Sequence, residues 1–323
     1  MSRYPFKACV SEFIRATEGS FSHSTLEVSI RRFNRMDKEL NYLKSENLIS
    51  TTNPKTLTVN DVKAYHIFLK AKTTVKGTKI TNKSIDHDLN DLNNLCRYYG
   101  NRCIEDFHYM CPSARSRTHT GRLPVFSSEE MSIIRNRASL VRSNDFRRIR
   151  AYALVSLYVG GGLRTVELQH LKIENIHVFE NIPFVYLDYV KGQETYGQER
   201  NVVIIPQFVP AIERYISARS SYLNSHSMES DYAFFSLDQS EMLTDKTIRQ
   251  IRDIVENDTN LDFDGRKCRR SYGQYLKNCG VAIEVISRNM GHSTTKTTET
   301  YYARISSEDS VNEAFKIMGT REW

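Results

Sequence analysis

In the stretch STLEVSIRRFNRMDKELNYLK, apolar residues recur every three or four positions at Leu26, Ile30, Phe33, Met36, Leu40 and Leu43. That is the period of one helix face, and Ser24 or Thr25 is placed to cap its start. VNDVKAYHIFLKA predicts a second helix. NKSIDHDLNDLNNLCRYYG predicts a third, with Ile85, Leu89, Leu92, Leu95 and Tyr99 on one stripe and Gly100 as the stop. Residues 1–110 therefore read as a small helical domain with basic flanks.

The texture then changes. CPSARSRTHTGRLPVFSSEEM is polar, basic and broken by Pro112, Gly121 and Pro124, which predicts an interdomain linker over 111–125. Ser127 and Glu130 have the spacing of a capping box, so a new helix starts there. FRRIRAYALVSLYV predicts an apolar helix ending at the glycine triplet Gly160 to Gly162. IENIHVFENIPFVYLDYVKGQETYGQERNVVIIP is β-rich, with a polar turn between Lys191 and Arg200. From Thr244 the pattern is helical again, and no internal repeat is visible. The fold class is mainly α with a small antiparallel β-sheet, the second domain spanning 126–305. A tail over 306–323 follows, where Ser306 and Asp309 have capping-box spacing and Val311, Ala314, Phe315 and Met318 form a short apolar stripe.

Length and charge refine this picture. A chain of 323 residues fits two domains. No apolar run is long enough for a membrane span, and MSRYPFKACVSEF lacks the core of a signal peptide. A cytoplasmic protein with no membrane partner is expected. The six cysteines are scattered, without C-x-x-C pairs or the cysteine–histidine spacing of zinc sites, and read as reduced structural thiols. A net charge of +7 fits a polyanionic partner such as DNA, although many basic proteins bind no nucleic acid.

Four pieces carry candidate chemistry. In GGGLRTVELQHL, glycines break a helix and present Arg164, with Thr165 as the cap of the next helix. No Lys-Ser/Thr follows at P-loop spacing. Lys191 sits at the start of a turn, where it could protonate a leaving group or simply be solvated. In GRKCRRSYGQYL, Arg266, Arg269 and Arg270 stand at helical spacings that would place them on one face. Such a face is either solvated or built for a phosphate. VISRNMGHSTTKTTETYYARI reads as a helix end, a glycine stop, His292, and a further helix carrying Tyr301 and Tyr302. Alone, a tyrosine in a chain with 18 of them is more often core. Taken in order, however, the pieces supply a metal-free phosphoryl-transfer site: two arginines, a lysine acid, a histidine and a tyrosine nucleophile.

These residues resemble the tyrosine recombinase (integrase) family over roughly residues 121–305. GGLRTVEL is similar to that family's T-G-L-R-x-x-E-L box, which implies that Arg164 is the first catalytic arginine and Glu167 a supporting acid. VKGQETYGQERNVVIIP is similar to its K-G…R-x-V-P hairpin, which implies a catalytic role for Lys191. RKCRRSYGQYLKNCGVAIEVISRNMGHSTTKTTETYYARI resembles the block from the second arginine to the nucleophile. It implies Arg269 as that arginine, His292 at the His/Trp position, and Tyr301, nine residues later, as the nucleophile. One departure stands out: the usual His-x-x-Arg box here has Arg266 in place of the histidine, as in archaeal and some mobile-element members. Arginine stays protonated and cannot act as a general base. Water or His292 would fill that role, or Arg266 adds a third phosphate contact.

The resemblance implies a C-shaped clamp on double-stranded DNA. The N-terminal helices would form a core-binding (SAM-like) DNA-binding domain, and about twenty residues ahead of the first predicted helix would be too few for a further arm-type domain. It also implies strand cleavage and joining through a 3′-phosphotyrosyl intermediate, with no metal, ATP or other cofactor. A homo-tetramer would assemble on DNA, the tail docking either on the neighbouring protomer or on its own domain. Accessory DNA-bending proteins are a further class of partner it leaves open. The expected role is integration or excision of a virus or plasmid. Chromosome-dimer resolution, a type IB topoisomerase and a catalytically impaired DNA-binding relative are the alternatives.

Overall fold

The computed structural model describes residues 5–74, 77–115, 123–190 and 197–301, together with Val311, Phe315 and Met318. It is mainly helical, with one three-stranded antiparallel sheet. The chain divides into two compact units, Met1–Thr120 and Gly121–Trp323. No helix among the described residues is long and apolar enough to cross a membrane.

Among its described residues the first unit holds five α-helices: α1 (Pro5–Thr17), α2 (His23–Ser45), α3 (Val59–Ala71), α4 (Asn82–Tyr98) and α5 (Cys103–Met110). The apolar stripes read from the sequence supply its core, with Phe33, Met36, Leu40, Tyr65, Leu69, Leu89, Leu92 and Leu95 all buried. Two helices were not foreseen. α1 fills the stretch expected to precede the first helix, and its buried face is only Phe6, Cys9 and Phe13. α5 is short, with Ile104 and Phe107 inside. The cap of α2 is Ser22, whose hydroxyl accepts from the Thr25 backbone N–H, and not Ser24 or Thr25. That start lies beyond the core: Ile30 is 36% exposed and the buried face begins at Phe33. Inside the unit, the buried Glu39 carboxylate accepts from the Tyr65 hydroxyl at 2.8 Å and pairs with Lys72 and Arg35. A carboxylate in such a place is tolerable because it is paired.

Two buried histidines, His66 and His108, flank the Phe107 ring. His66 Nε2 and His108 Nδ1 find no hydrogen-bond partner among the described residues. Burial lowers both pKa values, helped by Lys70 and His108 at His66 and by Arg115 at His108, against Asp86. Both rings therefore stay neutral in the folded unit at pH values where the unfolded chain already binds protons. Their contribution to stability is complete above the unfolded value of about 6.5 and is lost as pH falls from there through the lower folded values. The urea midpoint of the N-terminal unit should fall between pH 7 and pH 5 in the full chain. Replacing both histidines by phenylalanine should flatten that dependence.

The second unit is organised around α7 (Phe146–Gly161), buried at every position from Ile149 to Gly161. α6 (Ser128–Leu140) precedes it, starting with the expected Ser127–Glu130 capping box. α8 (Thr165–His170) follows, then strands β1 (Ile176–His177), β2 (Phe184–Leu187) and β3 (Arg200–Val203). The strands pair in the order β1-β2-β3, with Val185 opposite Val202 and Leu187 opposite Arg200. α9 (Val209–Ser225), α10 (Asp245–Thr259) and α11 (Gly265–Asn278) then pack against α7. Gly160 permits one close approach: a Cβ there would lie 2.8 Å from Phe208 Cβ, just ahead of α9. α12 (Ile283–Met290) and α13 (Thr295–Tyr301) complete the described part.

Candidate active site

The site begins where α7 stops. Gly162 adopts φ +63°, and a Cβ there would sit 2.5 Å from the Tyr272 ring. Only glycine allows the turn to close this tightly on α11. The chain then re-enters a helix with Arg164 itself in the N-cap position; Thr165 is the first helical residue, not the cap. The Thr165 hydroxyl instead accepts from Tyr158 at 2.8 Å. Glu167, one turn on, is buried and folds back to accept the Arg164 backbone N–H at 2.8 Å. Its other oxygen takes Arg164 Nη1 at 2.7 Å and Arg200 Nη2 at 2.9 Å.

α11 supplies the next guanidinium. Arg269 is buried, and its Nη1 donates to the Gly162 carbonyl at 2.6 Å. The face of three arginines expected from the sequence is not formed. Arg270 turns away and donates to the Pro124 carbonyl at 3.0 Å, while Ser271 accepts from Phe126 N–H, so this side of α11 anchors the chain entering the unit. Residues one apart on a helix diverge by about 100°, so Arg269 and Arg270 cannot share a target. Arg266 is exposed on the first turn of α11, one turn before Arg269.

The C-terminus of α12 gathers these groups. Gly291 ends the helix at φ +59°, leaving terminal carbonyls without helical partners. Three successive carbonyls each meet a different guanidinium. Asn289 O accepts Arg200 Nε at 2.9 Å, Met290 O accepts Arg269 Nη2, and Gly291 O accepts Arg164 Nη2 at 2.9 Å. The negative end of a helix is the natural seat for cations. His292 follows, its Nε2 3.2 Å from Arg269 Nη2 and its Nδ1 2.7 Å from the buried Thr298 hydroxyl on α13. Because arginine only donates, Nε2 is the acceptor and Nδ1 carries the proton, a tautomer inferred from these bonds.

The electrostatics follow from this crowding. Burial alone would push the Glu167 carboxyl up, but Arg200, Arg269 and Arg164 together hold it below the usual carboxylate range. His292 moves to about 3, first by burial and then by Arg269, Arg164 and Arg200, with Glu167 opposing. The cluster therefore carries three guanidiniums against one carboxylate, with a neutral imidazole beside them. A cluster with this excess of fixed positive charge and planar donors suits a phosphodiester.

Of the residues singled out from the sequence, Arg164, Glu167, Arg269 and His292 come together here. Tyr301 is the last residue of α13, the helix that carries Thr298. Lys191 and Tyr302 lie outside the described residues. So do Ser306, Asp309 and Ala314 of the tail, while Val311, Phe315 and Met318 are helical and 60–73% exposed. Arg200 and Thr298 were missed. Arg200 shares its strand face with the buried Val202, but the partners that bury it are distant in sequence. Thr298 left no signal, being one of several threonines in a row. No group of three or more His, Cys, Asp or Glu side chains among the described residues could hold a metal ion.

The chain is similar to known proteins in sequence and in fold. Residues 129–308 match the profile described as the phage integrase family. Tyrosine recombinase XerA of Pyrococcus furiosus is 28% identical over 156 residues, covering 48% of this chain and 50% of that protein. XerA of Pyrococcus horikoshii is also 28% identical, over 155 residues, covering 47% and 50% respectively. The chain thus spans about half the length of the curated relatives it matches. Among solved structures, the XerH site-specific recombinase bound to palindromic difH in a post-cleavage complex superposes with a TM-score of 0.69 at 13% identity, covering 98% of both chains. The Tn1549 transposon integrase in complex with transposon right end DNA gives a TM-score of 0.67 at 15% identity, covering 97% of this chain and 99% of that one. These two likenesses establish a shared fold.

Proposed function

The chain belongs to the phage integrase family of tyrosine recombinases, and from that premise we propose that it cuts and rejoins double-stranded DNA without metal or ATP. The observation that carries this reading is the cluster of Arg164, Arg269 and His292 gathered at the end of α12 beside the buried Glu167, with Tyr301 nine residues beyond His292. Arg164 and Arg269 bind the non-bridging oxygens of the scissile phosphate and stabilise the charge that builds in the transition state. The Tyr301 oxygen attacks phosphorus, passing its proton to water or to His292, forming a 3′-phosphotyrosyl bond and breaking the bond to the 5′ oxygen. Lys191 gives its proton to that departing oxygen. Arg266, on the turn before Arg269, adds positive charge at the rim. The new ester keeps the phosphodiester's energy, so a 5′ hydroxyl from a partner strand reverses the step and joins the DNA. His292 is neutral with Nε2 as an acceptor. A phosphate entering beside it favours protonation, after which Nε2 donates.

DNA is the partner, supported by the net charge of +7 and the basic site. Strand exchange between two duplexes needs four such sites, hence a homo-tetramer on DNA. The exposed tail residues Val311, Phe315 and Met318 offer an apolar contact for it. The biological setting we infer is integration or excision of a mobile element, on the basis of Arg266 at the usual histidine position. A second reading is chromosome-dimer resolution, which calls on the same chemistry at the same site. Incubation in EDTA with two labelled duplexes from the surrounding genome tests the activity, which requires products joined from both. Cleavage that depends on magnesium would contradict it. Products joining an element's two ends support the first setting, and products joining two copies of one chromosomal site support the second.

A further inference from the structure

Arg200 has no role in the chemistry outlined above, yet it is held on several sides. It stands at the start of β3, on the core-facing side with Val202, and its side chain is 8% exposed. A guanidinium in such a position is costly unless several acceptors meet it. Two do. Nη2 reaches Glu167, which is itself fully buried, and Nε reaches the Asn289 carbonyl. A third restraint is steric: a Cβ on Gly291 would lie 2.7 Å from Arg200 Cζ, so the turn after α12 rests directly on the guanidinium. Asn289 also fixes the strand, its side-chain oxygen accepting the Val203 N–H at 3.1 Å. The strand and the turn are thus clamped at two adjacent points.

Both anchors of Arg200 lead to Arg164. The Glu167 oxygen that accepts from Arg200 also accepts from Arg164 Nη1, and the turn resting on Arg200 offers its Gly291 carbonyl to Arg164 Nη2. His292 is the next residue along that turn. Resting on the recombinase reading, we propose that Arg200 is a positioning residue that fixes the Glu167 carboxylate and the Asn289–His292 turn relative to each other, so that Arg164 and His292 face the phosphate together. Arg200 does not touch the phosphate in this account. A lysine in its place could pair with Glu167 but could not bond the carboxylate and the Asn289 carbonyl through two fixed donors at once.

The test compares the parent with Arg200→Gln and Arg200→Lys on a nicked DNA duplex that traps the covalent adduct. Readouts are melting temperature, non-covalent affinity, adduct rate at saturating DNA, and the titration of His292 by NMR. In Arg200→Lys, affinity stays near the parent's and melting temperature falls only modestly, by the cost of one orphaned carbonyl, while the saturated rate falls about 100-fold, the cost of a misplaced group. In Arg200→Gln the rate falls at least as far, and His292 titrates at higher pH because one of its three guanidinium neighbours is gone. A purely structural ion pair predicts otherwise: Arg200→Lys would restore rate together with stability, and that result overturns the proposal. So does a rate within threefold of the parent in folded Arg200→Gln. Should Arg200→Gln not fold, the lysine variant decides alone. A parent that forms no adduct on any duplex sinks the recombinase reading instead. An unmoved His292 resonance in both variants would then still overturn the positioning role.

Discussion

Replacing Tyr301 by phenylalanine reduces the rate of covalent adduct formation by at least about 10⁴-fold and leaves non-covalent DNA affinity unchanged. The substitution removes one oxygen from the last residue of α13. In this account the step depends on that atom, which forms the ester to phosphorus. A phenol is a weak nucleophile with a pKa near 10, so it needs the guanidinium excess around Glu167 to favour its anion as it attacks. Affinity survives because DNA is held by phosphate contacts spread over the protein, and these are electrostatic. The two quantities are read from one reaction series, on denaturing and native gels. Loss of both together would mean that Tyr301 is structural. Tyr302→Phe serves as the neighbouring control and keeps the parent rate.

Arg269→Ala has the next largest effect, a fall of about 10³-fold in adduct rate. Arg269 donates to Gly162 O and Met290 O and lies 3.2 Å from His292, so its removal acts in three places. The phosphate loses a planar donor, the end of α12 loses a cap, and two buried carbonyls lose a partner. The last of these costs about 1–3 kcal/mol of stability per orphaned group, visible as a lower melting temperature. His292 also loses the cation that ranks next after burial in depressing its pKa, so its titration moves up from about 3 towards the ordinary histidine value. Arg269→Lys keeps the charge but not the fork, and recovers less than about a tenth of the lost rate. A full recovery with lysine would show that charge alone is needed there.

Much of this arrangement was legible in the sequence. Helical periodicity located the stripes of α2, α3 and α4, and the Ser127–Glu130 capping box marked the start of α6. The glycine triplet ended α7 as expected, because Gly162 takes a left-handed conformation under Tyr272. The ordered pieces pointed to Arg164, an arginine of α11 and His292; the family resemblance chose Arg269 and added Glu167; and these four meet in space. What stayed hidden has physical causes. α1 and α5 each bury too few residues to show a period. Spacing along a helix says which residues are neighbours but not which one turns inward, so Arg270 was grouped with Arg269 although it serves Pro124. Arg200 looked like the polar end of a turn. Its burial depends on Glu167 and Asn289, partners 33 and 89 residues away, which no local window includes.

The measurement closest to the central claim is the identity of the atom that carries the DNA. The parent protein is trapped on a nicked duplex in EDTA and digested with trypsin and nuclease, and the modified peptide is sequenced by mass spectrometry. TTETYYAR, residues 297–304, should carry the nucleotide mass, with fragment ions placing it on Tyr301. A nucleotide on Tyr302, on any other residue, or an adduct that forms only when a divalent metal is supplied would contradict the account.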